Sequence, residues 1–133
     1  MKILLDTHYL LWALGDVNIR DSVRDLITDP ANEVCFSIIS VWEIVIKHQI
    51  HPEQMPFEGK EIIEMARETG FEMLGLKEDH VLGLDRLVLK EGGREHRDPF
   101  DRILISQAKH EKMRFLTRDR RLAVYDEKCI MLR

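Results

Sequence analysis

Cysteine is scarce in this chain: there are only two, Cys35 and Cys129, and each lies within a short apolar run. The two form no spacing typical of a metal site, and they are too few for a disulfide framework. The pattern therefore favours two reduced thiols in the core over a disulfide, a zinc site or a catalytic nucleophile.

Long apolar runs are also missing. No run approaches the length of a membrane span, and the opening "MKILLDTHYLLWAL" is interrupted by Asp6 and His8, so it does not have the form of a signal peptide. We therefore expect a cytoplasmic protein with no membrane segment.

An excess of basic residues, the usual footprint of a nucleic-acid-binding protein, is absent, since the formal net charge is -4. The basic residues are unevenly distributed, however. Several lie in the C-terminal third, where they could neutralise phosphates on one face: Arg94, Arg97, Arg102, Lys109, Lys112, Arg114, Arg118, Arg120 and Arg121. A solvated charged surface is the ordinary explanation of such a group.

The 133 residues, of which 44% are hydrophobic and 33% charged, have the composition of one globular domain spanning residues 1–133. Short β-rich runs alternate with amphipathic stretches. Strands are predicted at "KILL", "EVCFS", "FEMLGL", "RFLT" and "CIML", and helices at "THYLLWAL", 21–28, 41–48, 59–69 with a stop at Gly70, "EDHVLGLDRLVL" and 99–112. Because parallel strands need crossover connections, this alternation predicts a three-layer α/β fold around a mainly parallel sheet.

Four acids fall at one edge of the predicted sheet. Asp6 directly follows the first strand and Asp119 follows "RFLT" after one residue, while Glu43 and Asp101 lie one turn into helices that begin at the same edge. Open α/β sheets bind ligands at the carboxyl ends of their strands. No glycine-rich phosphate loop precedes any of these acids, which disfavours a nucleotide-binding site.

Each acid also has a purely structural explanation. Asp6 and Asp98 can cap helices, "SVWE" can form a capping box in which Glu43 reaches back to Ser40, and Asp119 can make a turn. Four coincidences at one edge are less credible than any one of them. Clustered carboxylates raise each other's pKa or recruit a cation, and a set of oxygen ligands without histidine or cysteine favours Mg²⁺ or Mn²⁺ over zinc.

The same residues carry a family resemblance. "LLDTHYLLWAL", "SIISVWEIVIK", "EHRDPFDRILISQA" and "FLTRD" stand in the order and approximate spacing of the acidic motifs of PIN-domain nucleases, and the chain resembles the VapC-like toxin ribonucleases of bacterial toxin-antitoxin pairs over nearly its whole length. The resemblance implies an α/β/α sandwich and a metal-dependent endoribonuclease. Its acidic set would be Asp6, Glu43, Asp101 and Asp119.

Polar neighbours of those acids match as well: Thr7, Ser40 and Thr117, with Asp98 as an addition to the core set. Asp6 and Asp101 are the first metal ligands we expect, and Glu43 and Asp119 would bind directly or through water. Arg102 and Arg118 are candidates for contacts with the RNA backbone, but a salt bridge within the acidic cluster explains them equally well.

Two histidines and two tryptophans near the motifs invite functional roles. His8 and His96 flank motif acids, yet metal-bound water needs no separate base, so structural hydrogen bonds are the preferred interpretation. Trp12 and Trp42 occupy core-like helix positions, which predicts burial rather than base stacking.

Other functions and partners stay open at this point. A phosphohydrolase acting on small phosphate esters would share the chemistry, but "DTH" lacks the second aspartate of the haloacid-dehalogenase pattern. A PIN module that binds RNA or protein without turnover is disfavoured by the four intact acids. From the resemblance and the apolar helices "VWEIVIK" and "VLGLDRLVL" we expect a homodimer and a small antitoxin covering the acidic groove.

Overall fold

Five parallel strands form the centre of the fold in this computed structural model, which describes residues 1–15, 19–94 and 98–133. The strand order is β3-β2-β1-β4-β5, and every neighbouring pair is parallel. The strands are β1 (Lys2–Leu5), β2 (Glu33–Ser37), β3 (Glu72–Leu74), β4 (Arg114–Thr117) and β5 (Ile130–Leu132). The predicted parallel sheet is confirmed.

The order of the strands reverses beside β1. The chain builds from β1 outward to β3 and then returns to place β4 and β5 on the other side of β1. Leu5 pairs with Leu116, and the amide of Asp6 donates to the carbonyl of Leu116 at 3.0 Å. The carboxyl ends of β1 and β4 therefore meet at the switch point where open α/β sheets bind their ligands.

Helices cover both faces of the sheet. They are α1 (Thr7–Gly15), α2 (Asp21–Thr28), α3 (Ile38–Ile50), α4 (Gly59–Thr69), α5 (Glu78–Leu82) and α6 (Pro99–Glu111), with 3₁₀ helices at Gly83–Arg86 and Arg120–Val124. In β1, Ile3 and Leu5 pack with the core under α1 and α4, whereas Leu4 packs with the core under α6. Burial on both faces explains why the sequences of these strands are continuous apolar runs.

Two glycines mark the ends of α4, one through a close approach and the other through its backbone conformation. A Cβ atom on Gly59 would lie 2.6 Å from a methyl group of Val45, so only glycine lets the start of α4 approach α3 this closely. The helix ends at Gly70, whose φ of 97° is left-handed and suits glycine. The predicted stop at Gly70 is confirmed.

Two predicted helices differ from the observed ones. The third begins at Ile38, three residues earlier than expected, because Ser37 caps it by accepting from the amide of Ile39 at 3.0 Å. The helix predicted over "EDHVLGLDRLVL" ends at Leu82 and continues only as a 3₁₀ turn. The Ser106 hydroxyl donates to the His80 carbonyl at 2.6 Å and so competes for the acceptor of the next helical turn.

The two cysteines behave as expected. Cys35 is buried, Cys129 is partly buried, and both are free thiols. Burial raises the pKa of each thiol to about 11, so neither is a thiolate at neutral pH. Among the helices of the described segments, none has the length and apolar character needed to cross a membrane.

Candidate active site

Asp6 lies at the switch point with only 5% of its surface exposed. It acts as the cap of α1, because one carboxylate oxygen accepts from the Tyr9 amide at 2.7 Å. The other oxygen accepts from the Thr117 hydroxyl at 2.7 Å. Burial raises the pKa of Asp6 above its ordinary value, these two hydrogen bonds lower it, and the charge of Asp101 raises it further. The capping explanation is correct, but it accounts for one oxygen only.

Thr117 joins Asp6 to the segment that carries Asp119. Its hydroxyl is fully buried at the end of β4 and accepts from the amide of Asp119 at 3.1 Å. Asp119 in turn begins the 3₁₀ helix by accepting from the amide of Arg121 at 3.0 Å. The predicted turn is therefore present, and it places Asp119 beside Asp6 at the same edge of the sheet.

Arg121 binds both carboxylate oxygens of Asp119, with Nε at 3.0 and 3.2 Å and a terminal nitrogen at 2.8 Å. The hydrogen bond to Asp119 raises the pKa of Arg121, and the charges of Asp101 and Asp98 act in the same direction. One guanidinium thus lies in the field of three acids.

Glu43 approaches the site from α3. Thr7 Oγ1 lies 2.9 Å from one Glu43 oxygen and 3.0 Å from the hydroxyl oxygen of Ser40. Because a hydroxyl has one hydrogen and a carboxylate only accepts, we assign Thr7 as donor to Glu43 and Ser40 as donor to Thr7. Lys47 lies 2.9 Å from the other Glu43 oxygen. The alternative in which Glu43 caps the helix at Ser40 is wrong, since Ser37 is the cap.

Asp98 and Asp101 have different roles. Asp98 is the cap of α6, accepting from the amides of Phe100 at 2.9 Å and Asp101 at 3.4 Å, and Pro99 occupies the first helical position. Asp101 lies in the first turn, partly buried, and its charge acts on Asp6. The helix-start explanation therefore holds for Asp98, whereas Asp101 faces the acidic cluster.

Hydrogen bonds connect the predicted polar residues, but the four acids do not form a tight cluster. Within the described segments, no three of these carboxylates offer oxygen atoms within 4.8 Å of each other. Like charges repel, and Lys47 and Arg121 hold Glu43 and Asp119 through ion pairs.

The donor set still fits a divalent cation. All the donors are oxygens, and Asp6 carries a charge that its burial disfavours and that a cation would compensate. Mg²⁺ is usually held by one or two carboxylates and keeps several waters, so two direct ligands with others acting through water suffice.

A second cluster was not predicted. In the part of the chain that the structure describes, His80, His110 and Glu111 are the one group whose potential ligand atoms all lie within 4.8 Å. His80 Nδ1 accepts from the Lys77 amide at 3.0 Å, so its Nε2 carries the hydrogen and donates to Glu111 at 2.7 Å. A metal would need the lone pair of that nitrogen. We therefore assign these residues to a structural hydrogen-bond network.

Other predicted residues lie around the acids. His8 is exposed, and its charge lowers the pKa of Asp6; His96 lies outside the described residues. Arg102 donates to the Leu84 carbonyl at 3.4 Å, and Arg118 lies over the ring of Trp12 at 4.9 Å from its centroid.

The prediction that both tryptophans are buried is wrong for Trp42. Trp12 is partly buried against the core under α1. Trp42 is 56% exposed and meets the edge of Phe100 at 5.1 Å between ring centroids. Beginning α3 at Ile38 leaves Val41 and Ile44 in the core, and Trp42 takes the adjacent, outward position.

The sequence matches the model of the PIN domain family over residues 3–128, and the chain belongs to that family. Proteins of this family are nucleases and generally depend on divalent metal ions. The predicted resemblance is thereby confirmed, as is the fold. A comparison with curated proteins gives no significant sequence match.

Solved structures share the fold at low sequence identity. The structure of VapBC2 from Rickettsia felis bound to a DNA fragment from its promoter aligns over 100% of this chain and 98% of that chain, with a TM-score of 0.67 and 14% identity. DNA-bound VapBC from Salmonella typhimurium aligns over 100% and 97%, with a TM-score of 0.64 and 16% identity.

Proposed function

We propose that this chain is a Mg²⁺- or Mn²⁺-dependent endoribonuclease that hydrolyses RNA phosphodiester bonds. The observation that carries the proposal is the buried carboxylate of Asp6 at the switch point, bound by the Thr117 hydroxyl and repelled by Asp101. A structural cap needs no buried second oxygen and no nearby acid. The acidic set is Asp6, Glu43, Asp101 and Asp119.

The residues of the site would have different roles. Asp6 and Asp101 hold the cation, and Thr7 and Thr117 orient Glu43 and Asp6 through neutral hydroxyls that leave the carboxylates charged. When bound, the metal supplies an activated water and charge stabilisation for the phosphoryl group.

The neighbouring structures support an antitoxin partner. We propose that the chain is the toxin of a toxin-antitoxin pair, active in the cytoplasm, and that it forms a homodimer. Both structural neighbours are VapBC complexes. A small antitoxin covering the acidic edge would prevent RNA from reaching the site.

Two charge-neutralising variants test the proposal. Glu43→Gln and Asp101→Asn preserve size and hydrogen bonding, so we expect cleavage of RNA in Mg²⁺ to fall by orders of magnitude while the fold persists. Asp25→Asn, on the exposed face of α2, is the matched control and should cleave like the parent.

The parent should also lose cleavage in excess EDTA. Full cleavage in EDTA would contradict the metal mechanism, and parental rates in both variants would contradict the site. Hydrolysis of small phosphate esters without RNA cleavage would favour a phosphohydrolase, and metal-independent RNA binding without turnover would favour a binding module.

A further inference from the structure

A cavity of about 600 Å³ opens beside the acidic cluster, between α1 and the carboxyl ends of β4 and β5. Its wall contains four arginines and two aromatic residues: Arg20, Arg118, Arg120, Arg133, Tyr9 and Trp12. None of the described residues that line it has an acidic side chain. The volume lies within the usual range for small-ligand sites.

The basic residues around the acidic cluster fall into two groups, those that pair with a carboxylate and those that line the cavity. Lys47 pairs with Glu43, and Arg121 pairs with Asp119. Over the described segments, Arg20, Arg118 and Arg120 make no ion pair with a carboxylate. All three are exposed to solvent, so their positive charges are available to an anion that enters the cavity.

The cavity also adjoins the acids directly. Arg118 and Arg120 flank Asp119 in the chain, and Tyr9, whose amide binds Asp6, lines the wall. The Arg118 guanidinium is stacked on Trp12 at 4.9 Å from the ring centroid. Stacking restricts the side chain before it binds, so less conformational entropy is lost when its planar fork contacts a phosphate.

We propose that this cavity is a phosphate-binding subsite that takes the backbone of the RNA strand on one side of the cleaved bond. The inference rests on the proposed function. Several arginines beside a phosphodiester-hydrolysing centre match an anion that recurs along the substrate, because the phosphates next to the cleaved one must lie near the acids. An acidic protein segment would present its charges without that repeat.

The test measures binding without turnover. The parent, Arg20→Gln and Arg120→Gln are titrated with a short fluorescein-labelled single-stranded RNA in EDTA, and anisotropy gives the affinity at several KCl concentrations. Arg114→Gln is the matched control, since Arg114 is exposed at the opposite end of β4. Thermal melting of each variant checks the fold.

Removing one arginine that binds a phosphate should reduce the slope of log affinity against log salt by about 0.7. We expect that reduction in Arg20→Gln and Arg120→Gln, together with weaker binding, and neither effect in Arg114→Gln. If the parent cleaves RNA and both Arg20→Gln and Arg120→Gln keep its slope and affinity, the subsite is refuted while the nuclease stands.

Two further outcomes are informative. If the parent never cleaves RNA but the slopes change as expected, the proposed function fails and the phosphate subsite survives. If Arg20→Gln and Arg120→Gln lose affinity for a glutamate-rich peptide but not for RNA, the cavity binds an acidic protein segment and the inference is wrong.

Discussion

Thr117→Val tests whether the Thr117 hydroxyl holds a charged carboxylate. Valine has nearly the shape of threonine, so the change removes the donor to Asp6 without opening a large cavity. A hydrogen bond to a charged group contributes about 1.5–3 kcal/mol, and removing the acceptor for the amide of Asp119 adds roughly 0.5 kcal/mol. We expect a decrease of about 2–3 kcal/mol in the free energy of unfolding, or roughly 6–12 °C in Tm.

Urea unfolding of parent and variant in EDTA measures this decrease. Thr117→Ser is the control, because it keeps the hydroxyl and removes one buried methyl group, which costs about 1 kcal/mol. The valine variant should therefore be the less stable of the two. If it equals or exceeds the serine variant in stability, the hydroxyl does not support a charged Asp6.

The difference in stability between Thr117→Val and the parent should also change with pH in a defined direction. Burial raises the folded pKa of Asp6 above 3.8. The contribution of Asp6 to the free energy of unfolding of the parent therefore falls as the pH rises from 3.8 through the folded pKa. Once Asp6 is protonated in acid, it no longer depends on the donor from Thr117. The difference between the valine variant and the parent should shrink as the pH falls, and a constant difference would contradict a charged Asp6 at neutral pH.

Two other predictions concern the ion pairs. Arg121→Ala releases Asp119 from its ion pair, so it should bind Mn²⁺ about twofold to fivefold more tightly than Arg120→Ala, as measured by calorimetry. Arg120→Ala is the control, because it removes the same charge but leaves Asp119 paired. An equal or lower affinity in Arg121→Ala would mean that Arg121 orients Asp119 for the metal. The hydrogen bond from His80 holds the pKa of Glu111 below 4.5, so its ionised form contributes stability that is present above 4.5 and lost as the pH falls through the lower folded value. The Tm advantage of the parent over Glu111→Gln should fall in acid, and an advantage that grows there would contradict the pair.

The sequence permits a prediction of the site because strand ends can be read locally. An apolar run followed at once by Asp6, and another followed by Thr117 and Asp119, places these side chains at one edge once the strands are parallel. The hydroxyls of Thr7 and Ser40 could also be named, although their partners could not. Their hydrogen bonds join the start of α1 to α3 across more than thirty residues.

What the sequence could not predict depends on packing between distant segments. The orientation of Trp42 follows from where α3 begins, and a shift of three residues turns a helix by most of a turn. The contact between His80 and Glu111 spans 31 residues and has no local signature. Arg20 reaches the cavity from the start of α2, far from every acidic motif.

The acids of the site are held by two kinds of partner, and the difference bears on how a metal could enter. Asp6 is buried and bound by neutral donors, which orient it while leaving its charge uncompensated. Glu43 and Asp119 pair with Lys47 and Arg121, whose side chains are 44% and 72% exposed. Solvent screens ion pairs whose basic partner is exposed, so Glu43 and Asp119 could exchange Lys47 and Arg121 for a divalent cation at small cost. The buried acid would then fix the position of the metal, and the two partly buried acids, Glu43 and Asp119, would exchange their basic partners for it.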